Sequence, residues 1–114
     1  MMKGMPGGSG GSYTNTAVAS HTATGAETTL TTVTATWPGN STAKPTKVRV
    51  SGSVSGYVQI QLTTNKYLNI ACNPNAAYVE ETIPAGVFSG PVTGVPVGFQ
   101  CDDAGTMRVI IFGN

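Results

Sequence analysis

Few side chains in this chain carry ionisable chemistry: among 114 residues there are six Lys and Arg, five Asp and Glu, one His and two Cys. Glu80 and Glu81 form an adjacent carboxylate pair. A glycosidase needs its two carboxyl groups to flank one bond from a shared cleft. Neighbours on a strand point to opposite faces, so this pair predicts no catalysis. The run Asp102-Asp103-Ala104-Gly105 offers oxygens of the kind Ca²⁺ takes, but Asp bonding its own backbone beside a Gly is also what a tight turn requires, and a turn is the expectation here. His21 lies in a Thr-rich stretch with no neighbouring Cys or second His to build a metal site or a triad with Ser, and is expected to be solvated. Cys72 and Cys101 are too far apart in sequence for the paired spacing of zinc ribbons and redox motifs. Both end an apolar alternation and read as buried thiols, reduced in an unexported chain, although their matching phase leaves a disulfide conceivable. Asn40-Ser41-Thr42 matches a glycosylation acceptor but is assigned no role, because no export signal accompanies it. No catalytic residue, metal site or cofactor is expected, and the chain is read as a non-enzyme.

Composition says what kind of scaffold must position any site. Only 10% of the residues are charged and the formal net charge is +1, which gives phosphate backbones and anionic lipids no lasting hold. Nucleic acid and membrane are therefore not expected partners. Little charge also means little repulsion between copies, which permits self-association. Fifteen Gly and seven Pro beside recurrent Val, Thr, Ile and Tyr form the vocabulary of short strands and tight turns. The start, Met1 to Ser12, lacks the apolar run of a signal peptide, and its initiating Met pair favours synthesis without export. No stretch approaches the roughly 20 apolar residues of a membrane span.

The chain divides in two. Residues 1–26 show no apolar periodicity and are expected to form an extended Gly/Ser/Thr-rich arm, ordered only when a neighbouring molecule holds it. Residues 27–114 are expected to be one all-β domain, a sandwich or jelly roll of about eight short antiparallel strands. Period-two alternation marks strands at 32–37, 47–54, 57–63, 67–72, 77–83, 95–101 and 106–112, with an edge or loop excursion over 87–94. The segments 47–54 and 57–63 read as the clearest hairpin, and 47–72 as a meander. The expected core is Val33, Val48, Val50, Val58, Ile60, Leu62, Leu68, Ile70, Val97, Phe99, Val109 and Ile111.

Aromatic and leftover apolar residues give the candidate interface. Trp37 is in phase with Val33 and Ala35 and is expected at the core centre. Tyr57, Tyr67 and Tyr78 are out of phase with their apolar neighbours; Tyr57 and Tyr67 are expected on one outer face with Gln59, Gln61 and Asn69 between them. The last strand is apolar on both phases, so Ile110 and Phe112 are left over once one face is buried, which suits a central strand or a covered one.

The arm through Gly25, the phrase Thr82-Ile83-Pro84-Ala85-Gly86-Val87-Phe88-Ser89-Gly90-Pro91 and the apolar end Met107 to Phe112 followed by Gly113-Asn114 resemble the small β-rich virion proteins of tailed bacteriophages, namely head decoration or cement proteins and fibre β-domains. The resemblance implies a jelly roll or sandwich that oligomerises, often as a trimer, and binds the major capsid or another shell protein in the virion. The competing expectation is a carbohydrate-binding or lectin-like adhesion module that uses Tyr57, Tyr67 and Trp37 as stacking platforms for glycans.

Overall fold

The computed structural model describes residues 15–114. The chain is all-β. Among the described residues the strands are β1 (Asn15–Ala23), β2 (Thr31–Thr36), β3 (Pro45–Gly52), β4 (Gly56–Thr63), β5 (Lys66–Cys72), β6 (Val79–Thr82), β7 (Gly94–Cys101) and β8 (Gly105–Gly113), with a single 3-10 turn at Pro38–Asn40. Every pairing is antiparallel, in the order β5-β4-β7-β2-β1-β8-β3-β6. The continuity between β2 and β1 rests on one residue pair, Val18 with Thr36. At that seam the sheet folds into two four-stranded layers, β5-β4-β7-β2 and β1-β8-β3-β6, and the outer strands β5 and β6 return to each other at the far side.

Alternation fills the space between the layers. Val95, Val97, Phe99 and Cys101 of β7 face Val48 and Val50 of β3 and Met107, Val109 and Ile111 of β8 in one buried cluster. Trp37 sits inside it at 2% exposure and its Nε1 donates to the Val92 carbonyl at 2.8 Å, so the indole is a core element and not a stacking platform. Of the expected core residues, Val33, Leu62 and Leu68 are only partly buried and pack against the margin of the cluster.

Two expectations fail. The segment 15–23, assigned to the arm, is β1, paired along its whole length with β8 from Asn15↔Gly113 to Ala23↔Gly105. Its inward residues Ala17, Ala19 and Ala23 are small and its outward ones mostly Ser and Thr, so the alternation lacks the hydrophobic contrast that reveals a strand. The rest of the expected arm up to residue 14 lies outside the described residues. Second, β3 and β4 do not pair. β3 lies between β8 and β6, while β4 lies between β7 and β5. The linker between them crosses from one layer to the other, with the Ser53 N–H on the Thr106 carbonyl and the Ser55 carbonyl receiving the Asp102 N–H. Period-two patterning identifies a strand but says nothing of its partner, and only β4–β5 of the expected meander is a hairpin. The 87–94 excursion contributes a single bridge, Ala43 with Val92, so β1 supplies the eighth strand.

Deleting residues 1–25 should therefore abolish cooperative thermal unfolding, because it removes a strand between β2 and β8 and uncovers both; calorimetry of the truncated chain beside the intact one checks this.

Candidate functional site

Three surfaces gather the side chains with chemistry. On the outside of the β5-β4-β7-β2 layer, the out-of-phase residues of four strands line a shallow cavity of roughly 160 Å³: Thr32, Gly98 and Pro96, Gln59 and Gln61, and Tyr67. Register explains the set. Thr32 and Gln59 both pair with Gly98, and Gln61 pairs with Tyr67. Gly98 lets the Leu30 side chain pack against its bare backbone, and Tyr67, 48% exposed, forms a wall. Tyr57 shares this face, as expected, but pairs with Ala71 toward the opposite end of the hairpin. Its hydroxyl lies 3.2 Å from Gln100 Oε1, to which it donates.

On the outside of the other layer, Val18, Ile110 and Arg49 lie in one row across β1, β8 and β3, with Thr16, Phe112 and Lys47 in the next. Val18 is 44% exposed. The Arg49 guanidinium lies 4.1 Å from the centre of the Tyr78 ring and 5.0 Å from that of Phe112, and Lys47 also caps Phe112 at 5.0 Å. Glu80 neutralises part of this charge, with Lys47 Nζ at 3.0 Å and Arg49 Nη2 at 3.5 Å. The hydrogen bond from Lys47 holds the Glu80 carboxyl below its usual range. Glu81, paired with Val48, points the other way, so the two adjacent carboxylates do not share a cleft. The candidate interface thus splits: Tyr57 and Tyr67 face one side of the molecule, and Tyr78, Ile110 and Phe112 the other.

The third cluster was not legible in the sequence. His21 is in the inward phase of β1, half-buried, with its ring stacked on Phe99 at 5.8 Å and its Nε2 2.8 Å from Glu27 Oε2. The expectation of a solitary, solvated histidine is wrong. Glu27, in the loop between β1 and β2, is fastened to the end of β7. Its N–H donates to the Cys101 carbonyl at 2.9 Å, its Oε1 accepts the Cys101 N–H at 2.9 Å, and its carbonyl accepts from Gln100 Nε2 at 3.1 Å. The Cys101 N–H and then His21 hold the Glu27 carboxyl below the usual range. Burial, and next the Glu27 charge, push the Cys101 thiol up, which is the reverse of what an activated nucleophile needs. His21, Glu27 and Cys101 offer ligand atoms all within 4.8 Å of one another.

Cys72 and Cys101 are both free and buried. Each pairs with Gly56 from opposite sides of β4, which puts their Cα atoms two ladder spacings, about 9–10 Å, apart. A disulfide needs about 7 Å or less, so matching phase did not mean bridging distance. Asp103 Oδ1 accepts the Ala104 N–H at 2.7 Å in the β7–β8 turn, the backbone role expected of an Asp there. Asn40 closes the 3-10 turn on the surface, in the left-handed region at φ 58°.

No protein-family model matches this chain, and neither a curated protein nor a solved structure does.

Two outcomes test this geometry. Gly56→Ala should cost about 1–3 kcal/mol in urea unfolding, the usual penalty of overpacking, because its Cβ would strike the Gln100 carbonyl. Glu27→Gln should flatten the acid side of the stability profile. A carboxyl whose folded pKa lies below the unfolded value stabilises above the unfolded value and loses that contribution as pH falls through the folded one. The intact chain's urea midpoint should thus drop below about pH 4.5, and the variant's should drop less.

Proposed function

We propose that this chain is a non-enzymatic structural protein of a virion, a decoration or cement protein that self-associates, as a homotrimer, and binds the outer shell. The observation that carries the reading is the outward patch in which exposed Val18 adjoins half-buried Ile110 and Phe112, with Arg49 lying over the Phe112 and Tyr78 rings. An apolar centre with aromatic and Arg side chains is the composition that distinguishes interface cores from ordinary surface. Wiring adds support. The layer orders β1-β8-β3-β6 and β2-β7-β4-β5 read as the two interleaved Greek keys of a jelly roll, an architecture used by viral capsid and lectin domains. The low charge leaves close packing of copies unopposed.

A second reading, a carbohydrate-binding adhesion module, is favoured by the cavity beside Tyr67. Its lining of two Gln amides, a Thr hydroxyl and a half-exposed ring carries no charge, which matches the hydroxyls and apolar faces of a neutral sugar.

Light scattering of the purified chain should show a trimer, and Val18→Asp should weaken its association at least about tenfold, or about 1.4 kcal/mol. Val18 is exposed, so the substitution leaves the core intact. A monomer at high concentration that is retained by a neutral glycan, and released by Tyr67→Ala, replaces the decoration reading with the carbohydrate-binding one.

A further inference from the structure

We propose that His21, Glu27 and Cys101 form a binding site for one zinc-class divalent cation at the rim of the core. The inference is independent of the assembly reading and rests on how three distant segments converge. His21 comes from β1, Glu27 from the following loop and Cys101 from the last residue of β7, yet their ligand atoms all lie within 4.8 Å. Tetrahedral zinc, with bonds of about 2.0–2.3 Å, sets its ligand atoms about 3.5 Å apart. The longest separation therefore needs to contract by about 1.3 Å at most.

The supporting bonds hold each group in place. Paired backbone and side-chain hydrogen bonds tie Glu27 to Cys101, both at 2.9 Å, and the Phe99 ring fixes the plane of the imidazole. Such partners orient metal ligands in metalloproteins. An imidazole nitrogen, a carboxylate and a sulfur together suit a borderline cation, whereas Ca²⁺ and Mg²⁺ take oxygen alone. Three protein ligands leave the fourth position to water, and the half-buried His21 and Glu27 keep that side open to solvent while Cys101 is fully enclosed. In the cation's place the structure has the His21 Nε2 to Glu27 Oε2 contact of 2.8 Å, which binding would open.

The proton balance follows. The thiol of Cys101 is held protonated by burial and by the neighbouring carboxylate, and coordination exchanges its proton for the metal. The cation takes the imidazole nitrogen as a neutral donor and Glu27 as a carboxylate, so one cation binds and one proton leaves, from Cys101.

The probe is Co²⁺ added to the full chain after dialysis against a chelator. The expected result is the visible absorption of a tetrahedral cobalt site together with a sulfur-to-cobalt charge-transfer band in the near ultraviolet, both displaced by Zn²⁺. The thermal midpoint should also rise with free metal, since the cation binds the folded chain alone. His21→Gln should weaken Co²⁺ binding at least about tenfold, the lower end for loss of even an outer partner of a site. Cys101→Ser should remove the charge-transfer band, and Cys72→Ser, which changes the other buried thiol, should leave it intact. No sulfur band in the unaltered chain, a band that survives Cys101→Ser, one lost in Cys72→Ser, or affinity unchanged in His21→Gln would each overturn the assignment.

Discussion

The pairing of β1 with β8 is the constraint on which the other features of this molecule depend. It joins residue 15 to residue 113 and residue 23 to residue 105 without a break, so the first and last described strands enter the fold together or not at all. With β1 on one side and β3 on the other, β8 becomes an interior strand, and its backbone groups and its inward Met107, Val109 and Ile111 are satisfied at once. The same ladder holds β1 against β2 through the Val18–Thr36 pair, the seam about which one sheet becomes two layers.

Small residues make this closure sterically feasible. Ala17 and Ala19 occupy little depth on β1, leaving room for the larger side chains of β7 and β8. Gly105 ends the β1–β8 ladder where any side chain would strike Val54, and Gly113 passes close to the edge of the Trp37 ring. Trp37 then locks the loops at that end through Val92, which is itself bridged to Ala43. The opposite end is locked by Glu27, whose bonds to Gln100 and Cys101 bring the β1–β2 loop down onto β7. From there a polar chain runs through Gln100 to Tyr57 on the outer face, which explains why this ring, unlike that of Tyr67, is already engaged.

The two outer faces differ in chemistry because the two layers have different central strands. Over β8 the outward residues are Thr106, Arg108, Ile110 and Phe112, and the cations of β3 settle on the aromatic ring, with Glu80 of the edge strand β6 offsetting them. Over β7 the outward residues are Pro96 and Gly98, which are too small to fill the surface, so the Gln side chains of β4 and Tyr67 of β5 stand around a hollow. One face thus carries an apolar patch flanked by cations, and the other a shallow uncharged hollow.

The sequence by itself determined the all-β class, seven of the eight strands to within a few residues, the burial of Trp37, and the outward direction of Tyr57, Tyr67, Ile110 and Phe112, because a two-residue period is a local property of extended chain. It hid β1, since Ala facing Thr and Ser gives too little contrast to show an inside and an outside. Of the partnerships, only the β4–β5 hairpin was within its reach. Hydrogen-bond ladders are made by backbone that every residue carries, so nothing in 47–63 distinguished a hairpin from a crossing between layers. For the same reason only the tertiary structure decided the meeting of His21, Glu27 and Cys101, and the separation of Cys72 from Cys101 by β4. Such clusters depend on which strands lie side by side, and burial of the whole core selects that arrangement, not the few residues that meet as a result.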